Sequence, residues 1–209
     1  MSKKRTSSSK RWLAEHESDP YVKQARRDGY RSRSAYKLEE LDKRDRLVRQ
    51  GITIVDLGAA PGGWCQYLQR RYGTSVRIFA LDMLPMGALP GVHIIEGDFR
   101  QETVLAALEA ALGTGPVHLV LSDMAPNISG VNAADQAGSM HLADLALEFA
   151  RGRLAPNGVL LLKMFQGEGF DEFLRNLRQL FDKVVIRKPQ ASRSRSSEVY
   201  LVARNPRVR

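Results

Sequence analysis

The stretch Val55-Asp-Leu-Gly-Ala-Ala-Pro-Gly-Gly-Trp64 joins a short apolar run (Ile52, Ile54, Val55, Leu57) to a helical pattern that opens near Trp64. Strand, glycine-rich turn and helix in that order make the first step of an open α/β sheet. Gly58, Gly62 and Gly63 carry no β-carbon to hold a ligand off the backbone, and a helix N-terminus offers free N–H groups to an anionic ligand end. The spacing matches neither the G-x-G-x-x-G of a dinucleotide turn nor a P-loop ending in Gly-Lys-Ser/Thr. Alone, such a loop is also ordinary turn chemistry. Asp56-x-Gly58 ahead of the turn, together with an acid closing the next strand, shifts the reading to a nucleoside-cofactor site with S-adenosylmethionine as the leading ligand.

Outward from this turn, apolar strands alternate with amphipathic helices. Strands are expected near 52–57, 76–81, 92–95, 117–122, 158–164, 183–188 and 198–203. Phe170, Phe173, Leu174, Leu177, Leu180 and Phe181 mark the clearest helix, and Ala35, Leu38 and Leu41 another that leaves Lys37 on its flank. The alternation predicts an α/β fold, Rossmann-like, with a mostly parallel seven-stranded sheet and helices on both faces. The last two strands are separated by about ten residues without a helical pattern, so they are expected to form an antiparallel hairpin at one edge. Residues 1–30 read as a basic, partly ordered arm, with Trp12, Leu13, Tyr21 and Val22 too sparse for a core helix; residues 31–209 read as one domain with a basic C-terminal strand and tail.

In doubly wound sheets ligands lie beyond the carboxyl ends of the strands. Asp82 closes Ile78-Phe79-Ala80-Leu81, where an acid receives the ribose hydroxyls of a nucleoside cofactor. Asp98 follows the third strand and is a candidate acceptor for an adenine amino group. Asp56 ends the first strand, placed to balance the cofactor's cationic part directly or through water. Each aspartate taken singly is also what a turn or cap displays; three at successive strand ends favour a site.

Asp123, in Ser122-Asp-Met-Ala-Pro-Asn127, ends the fourth strand at the mouth of the same cleft. Lys163 comes late in the apolar run Val159-Leu-Leu-Leu-Lys-Met-Phe165, where burying a lysine is costly without a partner. Glu198 is the single acid among residues 183–209. A snorkelling lysine and a glutamate paired with neighbouring arginines are the blander alternatives.

The net charge of +9 is unevenly placed: residues 1–50 hold 15 Lys/Arg against 8 Asp/Glu, residues 183–209 hold 8 against 1, and the middle holds 9 against 14. Two basic segments around an acidic cofactor core suit a polyanion such as RNA. Cys65 is the only cysteine, so no intrachain disulfide forms, and His16, His93, His118 and His141 show no metal-binding spacing. No metal, no membrane partner and a soluble, cytoplasmic monomer are expected. Tyr36 and Tyr200 are candidates for stacking on bases.

Lys37, Asp123, Lys163 and Glu198, with the Asp56–Trp64 turn, Ser122–Asn127 and Lys163-Met-Phe-Gln-Gly-Glu-Gly169, resemble the FtsJ family of RNA ribose 2′-O-methyltransferases. The similarity runs from about Arg11 through Val202, including Arg187-Lys-Pro189 and the Ser/Arg loop after it. The resemblance implies a class I methyltransferase sheet with S-adenosylmethionine as donor. It also implies a Lys-Asp-Lys-Glu catalytic tetrad on Lys37, Asp123, Lys163 and Glu198, and a target uridine in the A-loop of 23S rRNA within the assembled 50S subunit. Lys163 is the preferred group for the ribose proton, although its protonation is not legible. Transfer RNA or a messenger cap as substrate, a non-enzymatic assembly factor on the same fold, and an NAD enzyme remain as rivals, the last disfavoured by the glycine spacing.

Overall fold

Strands β1 (Thr53–Leu57), β2 (Arg77–Asp82), β3 (Val92–Glu96), β4 (Val117–Ser122), β5 (Leu154–Phe165), β6 (Phe181–Arg187) and β7 (Glu198–Pro206) form one sheet in the order β3-β2-β1-β4-β5-β7-β6. The computed structural model describes residues 17–126 and 132–207; the first sixteen, with Trp12 and Leu13, and Asn127 of the fourth-strand stretch lie outside them. Strands β1 to β5 pair in parallel and β7 runs antiparallel to both its neighbours. The expected hairpin is therefore at the edge, with its second strand inserted beside β5 and its first outermost. Every residue of β1 is buried, and β4 is nearly so, which is why both read as mainly apolar rather than alternating.

Alternation divides the side chains between two layers. Helices α2 (Ser34–Asp45) and α3 (Gly63–Tyr72) cover one face, setting Leu38, Leu41 and Leu68 against Ile54, Leu121 and Leu161. Helices α4 (Glu102–Leu112), α5 (Asn132–Arg153) and α6 (Phe170–Leu180) cover the other. On α6 the buried stripe Phe170, Phe173, Leu174 and Leu177 docks on the sheet, each large side chain contributing about 1.5–3 kcal/mol. Phe181 opens β6 instead of closing that helix, and β5 begins at Leu154, earlier than its apolar core suggests. Among the described residues no helix is long and apolar enough to cross a membrane.

Residues Pro20–Arg27, assigned from sequence to a partly ordered arm, form helix α1 with Val22 and Ala25 buried. Asp19 caps it by accepting the Tyr21 N–H at 2.9 Å, and Pro20 occupies the first turn, where its missing N–H costs nothing. Ala25 packs with Tyr36 of α2 and with Ala191 from the loop between β6 and β7, so both basic segments meet on one side of the sheet.

The strand order reverses between β1 and β4, and the crevice beyond their carboxyl ends is the place for a ligand. The two strand ends approach closely at its floor: Asp123 N–H donates to Leu57 O at 3.0 Å, and a β-carbon on Gly58, whose φ is +79°, would come within 2.7 Å of Met124 N.

Candidate active site

Beyond β1, β2 and β4 lies a cavity of about 640 Å³ whose walls include Gly58, Asp82, Asp98, Phe99, Asp123 and Met124. That volume falls in the range of small-molecule sites. Asp82 is held by two backbone donors: Oδ2 accepts the Ala60 N–H at 2.9 Å and Oδ1 the Leu84 N–H at 2.8 Å, so it pins the glycine turn while its outer lone pairs stay available to ribose hydroxyls. Asp98 also faces the cavity, but Arg100 engages both oxygens, Nε to Oδ1 at 2.9 Å and Nη2 to Oδ2 at 2.6 Å. Those hydrogen bonds hold its carboxyl below the ordinary range. A bond to an adenine amino group must share this carboxylate with the guanidinium.

Asp56, Gly62, Gly63 and Trp64 are not among the cavity's walls. The β-carbon position of Gly63 is filled by the Ser32 hydroxyl, so the space its missing side chain leaves is taken by the protein's own chain. Trp64 is buried, its Nε1 donating to Ser34 O at 2.9 Å and its ring packing on Tyr200. Asp56 is fully buried; Oδ2 accepts the Cys65 thiol at 3.1 Å and Oδ1 has no hydrogen-bond partner. Burial pushes its carboxyl up to about 7, with the charges of Asp123 and Asp82 adding to the rise and the thiol opposing it.

The four tetrad residues come together as two ion pairs. Lys163, on β5, lies 3.2 Å from Asp123 Oδ1 and donates to the Asp123 carbonyl. Lys37, brought by α2 over the same face, donates to Glu198 Oε1 at 2.6 Å. Burial pushes the Glu198 carboxyl up, but the charge and hydrogen bond of Lys37, the Ser192 hydroxyl and Lys163 outweigh it and hold the group below its ordinary value. Both pairs are largely withdrawn from water, the four side chains being 8–20% exposed. Removing one partner from such a pair leaves a costly unpaired charge.

Tyr200 joins the pairs. Its hydroxyl donates to Asp123 Oδ1 at 3.0 Å and lies 3.4 Å from Lys37 Nζ. The ring is fully buried, which rules out the expected stacking on a base; burial, then the charges of Asp123 and Glu198, keep the phenol protonated. Tyr36 is also unavailable for stacking: it is buried among Tyr21 and Tyr30, its hydroxyl donating to Asp28 Oδ2 at 2.7 Å. Period two along β7 puts Glu198 and Tyr200 on one face, and Lys163 stands opposite Tyr200 in register, so strand alternation was the available signal for this tyrosine. Ser192, which donates to Glu198 Oε1 at 2.8 Å, had no such signal, because the loop that carries it folds back over six residues.

Asp82→Ala is expected to weaken nucleoside-cofactor binding by about 1.5–3 kcal/mol, roughly 10- to 150-fold, through loss of a charged acceptor. Calorimetry on the folded variant checks this; unchanged affinity would remove Asp82 from the site.

The model of a family described as FtsJ-like methyltransferase matches residues 30–206. Curated proteins named ribosomal RNA large subunit methyltransferase E from Stenotrophomonas maltophilia (strain R551-3) and Xanthomonas oryzae pv. oryzae (strain PXO99A) are each 58% identical over 204 residues, covering 98% of this chain and 97% of theirs. A solved structure from Plasmodium falciparum, described as a ribosomal RNA methyltransferase, superposes with a TM-score of 0.77 at 29% identity, over 86% of this chain and 100% of that one.

Proposed function

The chain belongs to the FtsJ-like methyltransferase family, and from that premise we propose that it methylates the ribose 2′-hydroxyl of a uridine in the A-loop of 23S rRNA within the assembled 50S subunit, using S-adenosylmethionine. The names of its relatives support the ribosomal address. The observation that carries the chemistry is that Asp123 belongs at once to the cavity wall and to the Lys163 ion pair, so cofactor and proton-handling groups share one residue.

The donor supplies an electrophilic methyl group on a sulfonium. Methyl transfer then makes an O–CH3 bond as the S–CH3 bond breaks, and the hydroxyl proton must leave. Lys163 is placed to accept that proton or to stabilise the developing alkoxide, and Asp123 fixes its position from the cavity side. Lys37, held by Glu198, whose Oε1 also accepts from Ser192, orients the substrate ribose. Asp82 holds the cofactor ribose, Asp98 the adenine, and the buried Asp56 offsets positive charge. Gly58, Gly62, Gly63 and Trp64 shape the turn that carries them. No metal enters this scheme, and the chain is taken to act in the cytoplasm as a monomer.

Mapping of ribose methylation in RNA from cells with and without the gene tests the reading. One A-loop uridine is expected to lose its mark, and purified 50S subunits to accept methyl better than free 23S rRNA. Loss of a mark in transfer RNA or at a messenger cap instead would overturn the address, and thermal stabilisation by NAD but not S-adenosylmethionine would overturn the cofactor.

Residues 1–30 are assigned the role of an RNA-gripping arm on the 31–209 domain. Because α1 is packed, the informative deletion is residues 1–16, which removes Lys3, Lys4, Arg5, Lys10 and Arg11. The slope of log affinity against log salt is expected to flatten by about 0.7–0.9 for each phosphate no longer neutralised, with transfer on saturating substrate little changed. An unchanged slope would leave the arm without a role in binding.

A further inference from the structure

A second, smaller cavity of about 240 Å³ opens between the start of α1 and the loop joining β6 to β7. Asp19, Arg33, Ser192 and Arg193 are among its walls. Arg33 comes from the N-terminal basic segment and Arg193 from the C-terminal one, so the charge that the sequence splits between two ends converges here. Arg33 Nη1 forms an ion pair with Asp19 Oδ2, and Arg193 Nε lies 3.8 Å from the same oxygen. That Nε is buried and has no hydrogen-bond partner. Two guanidiniums around one carboxylate leave a net positive charge and unused donor capacity in a space several times the roughly 30 Å³ of a water.

The cavity is also close to the chemistry. Ser192, in its wall, donates to Glu198 Oε1 at 2.8 Å, and Glu198 holds Lys37. Lys188 fastens the base of the same loop by donating to the Glu198 carbonyl at 2.8 Å. A ligand group seated between Arg33 and Arg193 is therefore one residue away from the tetrad.

We propose that this cleft is a subsite for a backbone phosphate of the RNA flanking the methylated nucleotide, with Arg33 and Arg193 as its ligands and Asp19 as an internal anion that holds both guanidiniums in place until the phosphate arrives. Planar guanidinium forks suit a phosphodiester, and such contacts set the register of the strand without reading its sequence. The proposal rests on the RNA reading above and assigns it one place on the surface.

The sign of one substitution separates this role from a purely structural one. Asp19→Asn keeps a good cap for α1 but removes the competing negative charge. It is expected to tighten binding of the full-length chain to a single-stranded oligoribonucleotide several-fold, whereas Arg193→Ala weakens it and lowers the salt slope by about one. Arg193→Lys, which keeps the charge and loses the fork, falls between. All three should retain wild-type S-adenosylmethionine affinity by calorimetry. If Asp19→Asn weakens RNA binding or leaves it unchanged, or if Arg193→Ala keeps the wild-type slope, the cleft is only a clamp between α1 and the loop and the subsite is wrong. A parallel arm with unmethylated 50S subunits keeps the two failures apart, since wild-type protein that binds the oligoribonucleotide yet transfers no methyl to subunits overturns the ribosomal reading alone.

Discussion

Lys163→Ala, folded and saturated with both ligands, is expected to lose single-turnover methyl transfer on the order of 10²-fold or more, the usual contribution of a positioned proton-transfer group. Cofactor and RNA affinities should change little, because Lys163 itself is not among the walls of the cofactor cavity. Lys163→Arg divides the two possible roles. Arginine keeps the charge but does not deprotonate in proteins, so a base role requires it to fail as alanine does, whereas an electrostatic role predicts recovery of part of the rate. Wild-type transfer by the alanine variant would make Lys163 structural.

Asp56→Asn is expected to act on stability and cofactor binding in opposite directions. Burial raises the Asp56 pKa in the folded protein to about 7 from 3.8, so the native state binds this proton more tightly than the unfolded chain does. The resulting stabilisation is complete below about pH 3.8, is lost as pH rises through the window up to 7, and is gone above it, a total of about 4 kcal/mol. Asparagine does not titrate, so the variant should escape this loss, and its stability relative to wild type should climb between pH 5 and 8 by more than half of that amount. Denaturant titrations at the two pH values check it. A constant difference would mean that Asp56 stays ionised throughout. If its charge offsets the donor's, the same variant binds S-adenosylmethionine more weakly at pH 8.

The central strands were legible because burial on both faces leaves mainly apolar runs, and Gly58, Asp82 and Asp123 because strand ends in an open sheet are where ligands gather. Helix α1 was not: only Val22 and Ala25 are buried, too few to stand out among lysines and arginines. The apolar residues of α5 are interrupted by Gly138 and by polar side chains, so no clear stripe announces its length. Strand position, burial cost and composition brought Asp123, Lys163 and Glu198 forward and family resemblance joined Lys37 to them, yet which lysine meets which acid is decided by β7 lying between β5 and β6, a non-local choice. The glycines carried a different lesson. Their missing β-carbons read as room for a ligand, but at Gly63 the room belongs to Ser32 and at Gly58 to Met124.

That placement of β7 also sets the order in which the molecule can become competent. The parallel block from β1 to β5 needs partners far apart in the chain, while β6 and β7 pair across a short loop and can zip up locally. Glu198 and Tyr200 both ride on that hairpin, whereas Asp82, Asp123 and Lys163 do not. If the proposed tetrad carries the reaction, docking of the hairpin onto β5 would be the event that turns a cofactor-binding sheet into a complete catalyst. Lesions in the β5–β7 seam should yield molecules that still take up the donor but remain silent, a half-assembled state distinguishable from an unfolded one by ligand uptake without turnover.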